Sequence, residues 1–75
     1  MAEHQLDCKG MKCPMPIVEV FRKFSSVGIG DTLEIQSDDL AFPHDIEAWC
    51  NRMGQDLVEV KTTGGIVSAK IKKVK

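Results

Sequence analysis

The residue best equipped for chemistry in this sequence is Cys13, in the run Met11-Lys12-Cys13-Pro14-Met15-Pro16. Downstream of it, Ile17, Val20, Phe21 and Phe24 follow the i, i+3, i+4, i+7 spacing of an apolar helix face. A helix beginning here sets Cys13 at or next to the N-cap. Pro14 suits the first helical position, where its fixed backbone angle is pre-organised and its missing N–H costs no hydrogen bond. Pro16 falls in the same first turn, where amide hydrogens lack internal partners. The thiolate is the reactive form of cysteine, and a helix N-terminus or a nearby cation lowers the thiol pKa. Lys12 and Lys9 stand close enough in sequence to add positive charge. A persulfide anion gains from the same helix end. Two prolines also remove two amide donors, so the turn makes a poor phosphate cradle. The plainer alternative, a small residue filling a strand-to-helix corner, accounts for neither the paired prolines nor the flanking lysines.

The other reactive types read as structural. Cys50 shares an apolar helix face with Ile46, Trp49 and Met53, which points to core packing, since free cysteine is among the most buried residue types. Cys8 is expected to point inward from the first strand. A Cys8–Cys13 disulfide is conceivable at this short separation, but nothing in the sequence supplies its geometry. Cys8, Cys13, Cys50, His4 and His44 lack the close C-x₂₋₄-C or H-x₃₋₅-H spacing of structural zinc, so no metal is expected. C-x-x-C is absent, which argues against a thioredoxin-like redox centre. Asp38, Asp39 and Asp45 are accounted for by helix capping and favourable charge at a helix start. The basic run Lys70-Ile71-Lys72-Lys73-Val74-Lys75 alternates lysine with apolar residues, as the solvent face of an edge strand would.

These residues are positioned by six elements. Glu3 to Cys8 forms a short strand with Leu6 and Cys8 on one face, and Lys9 to Lys12 a turn. The first helix runs from Cys13 to a stop at Gly28, with Glu19 and Lys23 spaced to pair on its outer side. Thr32 to Ser37 is a strand with Leu33 and Ile35 inward. The second helix starts either at an Asp39 cap or near Pro43, which is comfortable only in a first turn, and it ends at Gly54. Strands follow at Asp56 to Thr62 and Ile66 to Val74, joined through Gly64-Gly65, a strong hairpin signal. The order is β-α-β-α-β-β. Both helices are amphipathic, and strand alternation leaves one polar sheet face. The fold class expected is therefore α+β, with two helices packed on one face of a mixed four-stranded sheet, a two-layer α/β sandwich.

Bulk properties narrow the function classes. A domain of 75 residues has little room for a deep catalytic cavity, so chemistry belongs at its surface. A net charge of −1 argues against a protein built to grip nucleic acid, and no apolar run approaches the ~20 residues of a membrane span. The polar, acidic start is unlike a signal peptide. Three cysteines, an odd number, fit a reducing cytoplasm better than a disulfide-stapled secreted domain.

Leu6-Asp7-Cys8-Lys9-Gly10-Met11-Lys12-Cys13-Pro14-Met15-Pro16 resembles the signature Leu-Asp-x-x-Gly-x-x-Cys-Pro-x-Pro of the TusA, or SirA-like, sulfur-carrier family. Ser37-Asp38-Asp39, Asp45-Ile46 and the Trp49-Cys50 pair extend the likeness. The sequence departs from the family pattern at Leu40, where members often carry proline, and Cys8 fills a variable position often held by a small residue. The resemblance implies a two-layer sandwich like the C-terminal domain of translation initiation factor three, formed by residues 1–75 as one domain. It implies a persulfide carried on Cys13, with Pro14 and Pro16 shaping the turn and Lys12 and Lys9 tuning or recruiting. Gly10 and Asp7 are the other supporting motif positions. The implied donors are cysteine desulfurases or rhodanese-type sulfurtransferases, and the implied acceptor is a protein with a reactive cysteine, of the DsrE/TusBCD-like kind. No cofactor, metal, membrane or direct nucleic-acid contact is expected, and the carrier is expected to act as a cytoplasmic monomer. Family destinations for the sulfur include tRNA 2-thiouridine, molybdenum cofactor synthesis and dissimilatory sulfur oxidation. The rival class is a small nucleic-acid-binding or regulatory module with no covalent role for Cys13.

Overall fold

Alternation in two strands decides how the sheet is built. In Thr32–Ser37 the residues Leu33, Ile35 and Ser37 are buried and their neighbours are not, and in Ile66–Lys72 the buried set is Val67, Ala69 and Ile71. Antiparallel pairing sets Leu33 against Ile71, Ile35 against Ala69 and Ser37 against Val67, so one face of the pair is sealed. Thr32, Glu34, Gln36, Lys72, Lys70 and Ser68 take the opposite face.

The computed structural model describes residues 2–12 and 15–75. The elements in chain order are β1 (Glu3–Asp7), α1 (Met15–Phe24), β2 (Thr32–Ser37), α2 (Phe42–Met53), β3 (Asp56–Thr63) and β4 (Ile66–Lys72). The sheet order is β1-β2-β4-β3, with β1 parallel to β2 and the other pairs antiparallel. Both helices lie over the sealed face and contribute Val20, Phe24, Phe42, Ile46 and Cys50 to a core shared with Leu33, Ile35, Val67, Ala69 and Ile71. The mixed four-stranded α+β sandwich expected from the sequence is the fold observed.

Local chemistry explains most boundaries. Gly64 and Gly65 have φ of 58° and 81°, the two positive angles that a two-residue hairpin of this hand requires. The start of α2 resolves in favour of Pro43: the helix opens at Phe42 behind Ala41, with no side-chain cap, while the Asp39 carboxylate accepts the Ala41 N–H (3.1 Å) in the turn before it. β4 stops at Lys72 rather than Val74, and the Gln55 side-chain oxygen takes the Val74 N–H (2.8 Å) instead.

Three expectations are corrected. Phe21 does not face the core but is 61% exposed, because α1 buries the stripe Pro16, Val20 and Phe24, one residue-step around the helix. Glu19 pairs with Arg22 (3.8 Å) rather than Lys23. The lysine-rich last strand is not an edge but lies between β2 and β3; its alternation reflects a bare sheet face. The Lys73 ammonium turns to the C-terminal end of α1, donating to the carbonyls of Phe24 (3.2 Å) and Val27 (2.9 Å) and lying 5.2 Å from the Phe24 ring centre.

Candidate functional site

The loop that leads from β1 to the motif is built by backbone hydrogen bonding. Cys8 continues the ladder one residue past the strand, its N–H donating to the Gln36 carbonyl at 2.7 Å, and its side chain is fully buried. Asp7 accepts the Lys9 N–H at 2.9 Å, the local Asx turn that aspartate favours. The Met11 N–H returns to the Cys8 carbonyl at 3.2 Å. Gly10, between them, has φ of 86°, a left-handed angle that costs a side-chain-bearing residue about 1–2 kcal/mol. The Met15 N–H donates to the Lys12 carbonyl at 2.8 Å as α1 begins, and Pro16 in its first turn is buried.

A second loop, from β2 to α2, faces this one. Ser37 is buried and its hydroxyl accepts the Asp39 N–H at 3.1 Å. Asp38 reaches across: its carboxylate accepts the Gly10 N–H at 3.0 Å, between residues 28 apart in sequence. The two loops enclose an open concavity of about 410 Å³ lined by Gly10, Met11, Lys12, Asp38, Asp39 and Leu40. Leu40 is 81% exposed on its rim.

Of the residues singled out from the sequence, Cys13 and Pro14 lie outside the described residues, as does any bond between Cys8 and Cys13. Asp7 ends β1, Lys9, Gly10 and Lys12 follow it in the motif loop, and Pro16 is buried in the first turn of α1. Lys12 is exposed and lines the concavity, whereas Lys9 is exposed without lining it. Capping does not explain the acidic cluster: Asp38 bonds the motif loop, Asp39 the turn before α2, and only Asp45 sits in a first helical turn. Sequence reasoning therefore missed Asp38. The β1–β2 register held a signal, since Asp7 pairs with Gln36 and continuing that offset brings Asp38 level with the loop at Lys9.

Cys8 and Cys50 are free and buried, at 0% and 2% exposure. Burial pushes the Cys8 thiol up to about 11, with Glu19 and Asp7 adding to it. Burial likewise pushes Cys50 up to about 11, with a contribution from Asp56. At neutral pH such thiols are ionised on the order of one molecule in ten thousand, which leaves them inert as nucleophiles. Among the described residues, no group of three or more His, Cys, Asp or Glu is placed to hold a metal ion. Among them, too, no helix is long and apolar enough to cross a membrane.

The sequence matches the family described as Sulfurtransferase TusA over residues 4–73. It is 37% identical over 68 residues to the candidate sulfur carrier protein YrkI of Bacillus subtilis strain 168, an overlap covering 91% of each chain. To a candidate sulfur carrier protein of Archaeoglobus fulgidus it is 33% identical over 70 residues, which is 93% of this chain and 96% of that one. In fold it resembles a SirA-like protein from Desulfitobacterium hafniense known from a crystal structure, with a TM-score of 0.82 over 100% of both chains and 18% identity.

Proposed function

Because the chain belongs to the TusA family, we propose that residues 1–75 act as a sulfur carrier, taking sulfane sulfur as a persulfide on Cys13 and passing it to a cysteine of an acceptor protein. The observation that carries this reading is the burial of the other two cysteines. Two of the three are sealed in the core with thiols near 11, which leaves Cys13, in the Cys-Pro-x-Pro motif, as the candidate nucleophile. The likeness to two candidate sulfur carriers over nine-tenths of the chain supports the same reading.

The chemistry is two sulfur transfers with no net oxidation. The Cys13 thiolate attacks the outer sulfur of a donor persulfide, R–S–SH. The bond between the two donor sulfurs breaks, a new S–S bond forms at Cys13, and the donor leaves as a thiolate. An acceptor thiolate then attacks the outer sulfur on Cys13 and releases the Cys13 thiolate. A cysteine desulfurase or a rhodanese-type protein fits the donor role. The open loop concavity lets a second protein bring its own cysteine to this end of the molecule, as a chain too small to enclose a site requires. Of the family's destinations, tRNA thiolation, molybdenum cofactor synthesis and sulfur oxidation are all consistent with this chemistry.

Intact mass after incubation with a cysteine desulfurase and cysteine, or a rhodanese and thiosulfate, tests the assignment. One added sulfur atom is expected in the wild type, in Cys8→Ser and in Cys50→Ser, and none in Cys13→Ser. No gain from either donor, together with tight RNA binding at physiological salt, would favour the nucleic-acid module instead.

A further inference from the structure

Among the described residues, the motif loop makes three short-range bonds from backbone amides: Lys9 N–H to Asp7, Met11 N–H to Cys8, and Met15 N–H to Lys12. Past Cys8, the hydrogen bond that reaches it from elsewhere among the described residues is the one from Gly10 to Asp38. We propose that Asp38 is a positioning residue for Cys13, its carboxylate gripping the Gly10 N–H so that the loop ahead of the thiol keeps one arrangement when another protein docks.

The glycine and the aspartate depend on one another. A Cβ built on Gly10 would meet nothing within 4 Å, so crowding does not demand glycine there. The demand comes from the φ of 86°, which glycine adopts without steric cost, in the same turn whose amide hydrogen meets Asp38. Asp38 receives it from a loop whose own shape is braced by the buried Ser37 hydroxyl and by the turn at Asp39. The strap therefore ties the motif loop, three residues before the thiol, to the end of a central strand. It lies at the surface, where one hydrogen bond adds little to global stability, so its removal should act on presentation more than on folding. Transfer between two proteins is sensitive to such placement, because a misplacement near 1 Å costs up to about a hundredfold in rate. The proposal rests on the carrier reading, and it names which residue outside the motif that site requires.

The test compares wild type with Asp38→Asn, which keeps an acceptor oxygen without the charge, and Asp38→Ala, which keeps neither. Three quantities are measured: sulfur loading from a desulfurase and cysteine or from a rhodanese and thiosulfate, alkylation of Cys13 by iodoacetamide, and hydrogen exchange of the Gly10 amide. Asp38→Ala is expected to load roughly tenfold more slowly, to alkylate within about twofold of wild type, and to exchange Gly10 faster. Asp38→Asn should restore loading and protection, a rescue that a charge effect on the thiol would not give. Loading at the wild-type rate in Asp38→Ala overturns the proposal, as does Asp38→Asn being equally slow. If Asp38→Ala does not fold, Asp38→Glu, which keeps the charge and displaces the acceptor by one methylene, is read in its place. If wild type loads from neither donor, the carrier reading fails by itself. Gly10 exchange then decides the strap, unchanged protection in the variant overturning it.

Discussion

A thiol sealed among apolar side chains keeps its proton, because its thiolate would have no water around it. Cys8 and Cys50 show this, each pushed from 9.0 to about 11 chiefly by burial. That the two would be buried was legible: Cys50 lay on a helix face with Ile46, and Cys8 two residues after the inward Leu6. The consequence for stability follows by sign. Below pH 9 folded and unfolded chains both hold these protons, so nothing changes. Between about pH 9 and 11 the unfolded chain loses protons that the native state retains, and stability falls as pH rises, by up to about 3 kcal/mol for each thiol. The sequence contains no tyrosine to obscure the effect. Urea unfolding measured from pH 8 to 11 should show this alkaline decline, and Cys8→Ala should have a visibly shallower slope. An identical slope in the variant would mean that Cys8 is ionised as readily in the fold as out of it.

At the level of elements, a helix face read from spacing alone is right to within one residue-step, and α1 shows where that step matters. Ile17, Val20, Phe21 and Phe24 satisfy the apolar period, but the stripe actually covered by the sheet and α2 is Pro16, Val20 and Phe24. Phe24 stands edge-on to Trp49, ring centres 5.2 Å apart, while Phe21 is left on the rim. No local rule reports how far α2 leans over α1, so the sequence could not choose between neighbouring stripes. The same limit hid Phe42, fully in the core, because the ambiguous start of α2 left it unassigned. Phe24→Ala should therefore cost about 3–5 kcal/mol, and Phe21→Ala no more than about 0.5 kcal/mol. Thermal unfolding reads the difference readily, since 1 kcal/mol moves the midpoint of so small a domain by roughly 4–8 °C. Equal losses in the two variants would return Phe21 to the core.

Across the whole molecule, what the sequence leaves open is the order in which strands lie. Every strand and both helices were legible from period and turn residues, but nothing local puts β4 in the middle of the sheet, because a central strand with one bare face alternates as an edge strand does. The candidate site shares this origin: Asp38 meets Gly10 only once β1 is laid parallel to β2. That pairing is thus the arrangement on which the site depends, and β1 is an edge strand of five residues. Asp31 gathers the elements around it. Its carboxylate accepts the N–H of Ala2 (2.9 Å) and of Gly28 (3.2 Å) and meets the His4 ring nitrogen at 3.2 Å, while its carbonyl takes the Lys73 N–H at 3.0 Å. The Ala2 amide first, and then His4, hold this carboxyl below its ordinary 3.8. A lowered carboxyl stabilises the fold above its unfolded value and ceases to as pH falls through the folded one, so this contribution is present at neutral pH and lost below about 3.8. Amide exchange should accordingly show β1 losing protection ahead of β2 and β4 as the solution is acidified through that range. Asp31→Asn should loosen β1 already at pH 7 while β4 stays protected. If the variant leaves β1 exchange at pH 7 unchanged, the strand is held by its ladder alone, and the motif loop's anchorage does not pass through Asp31.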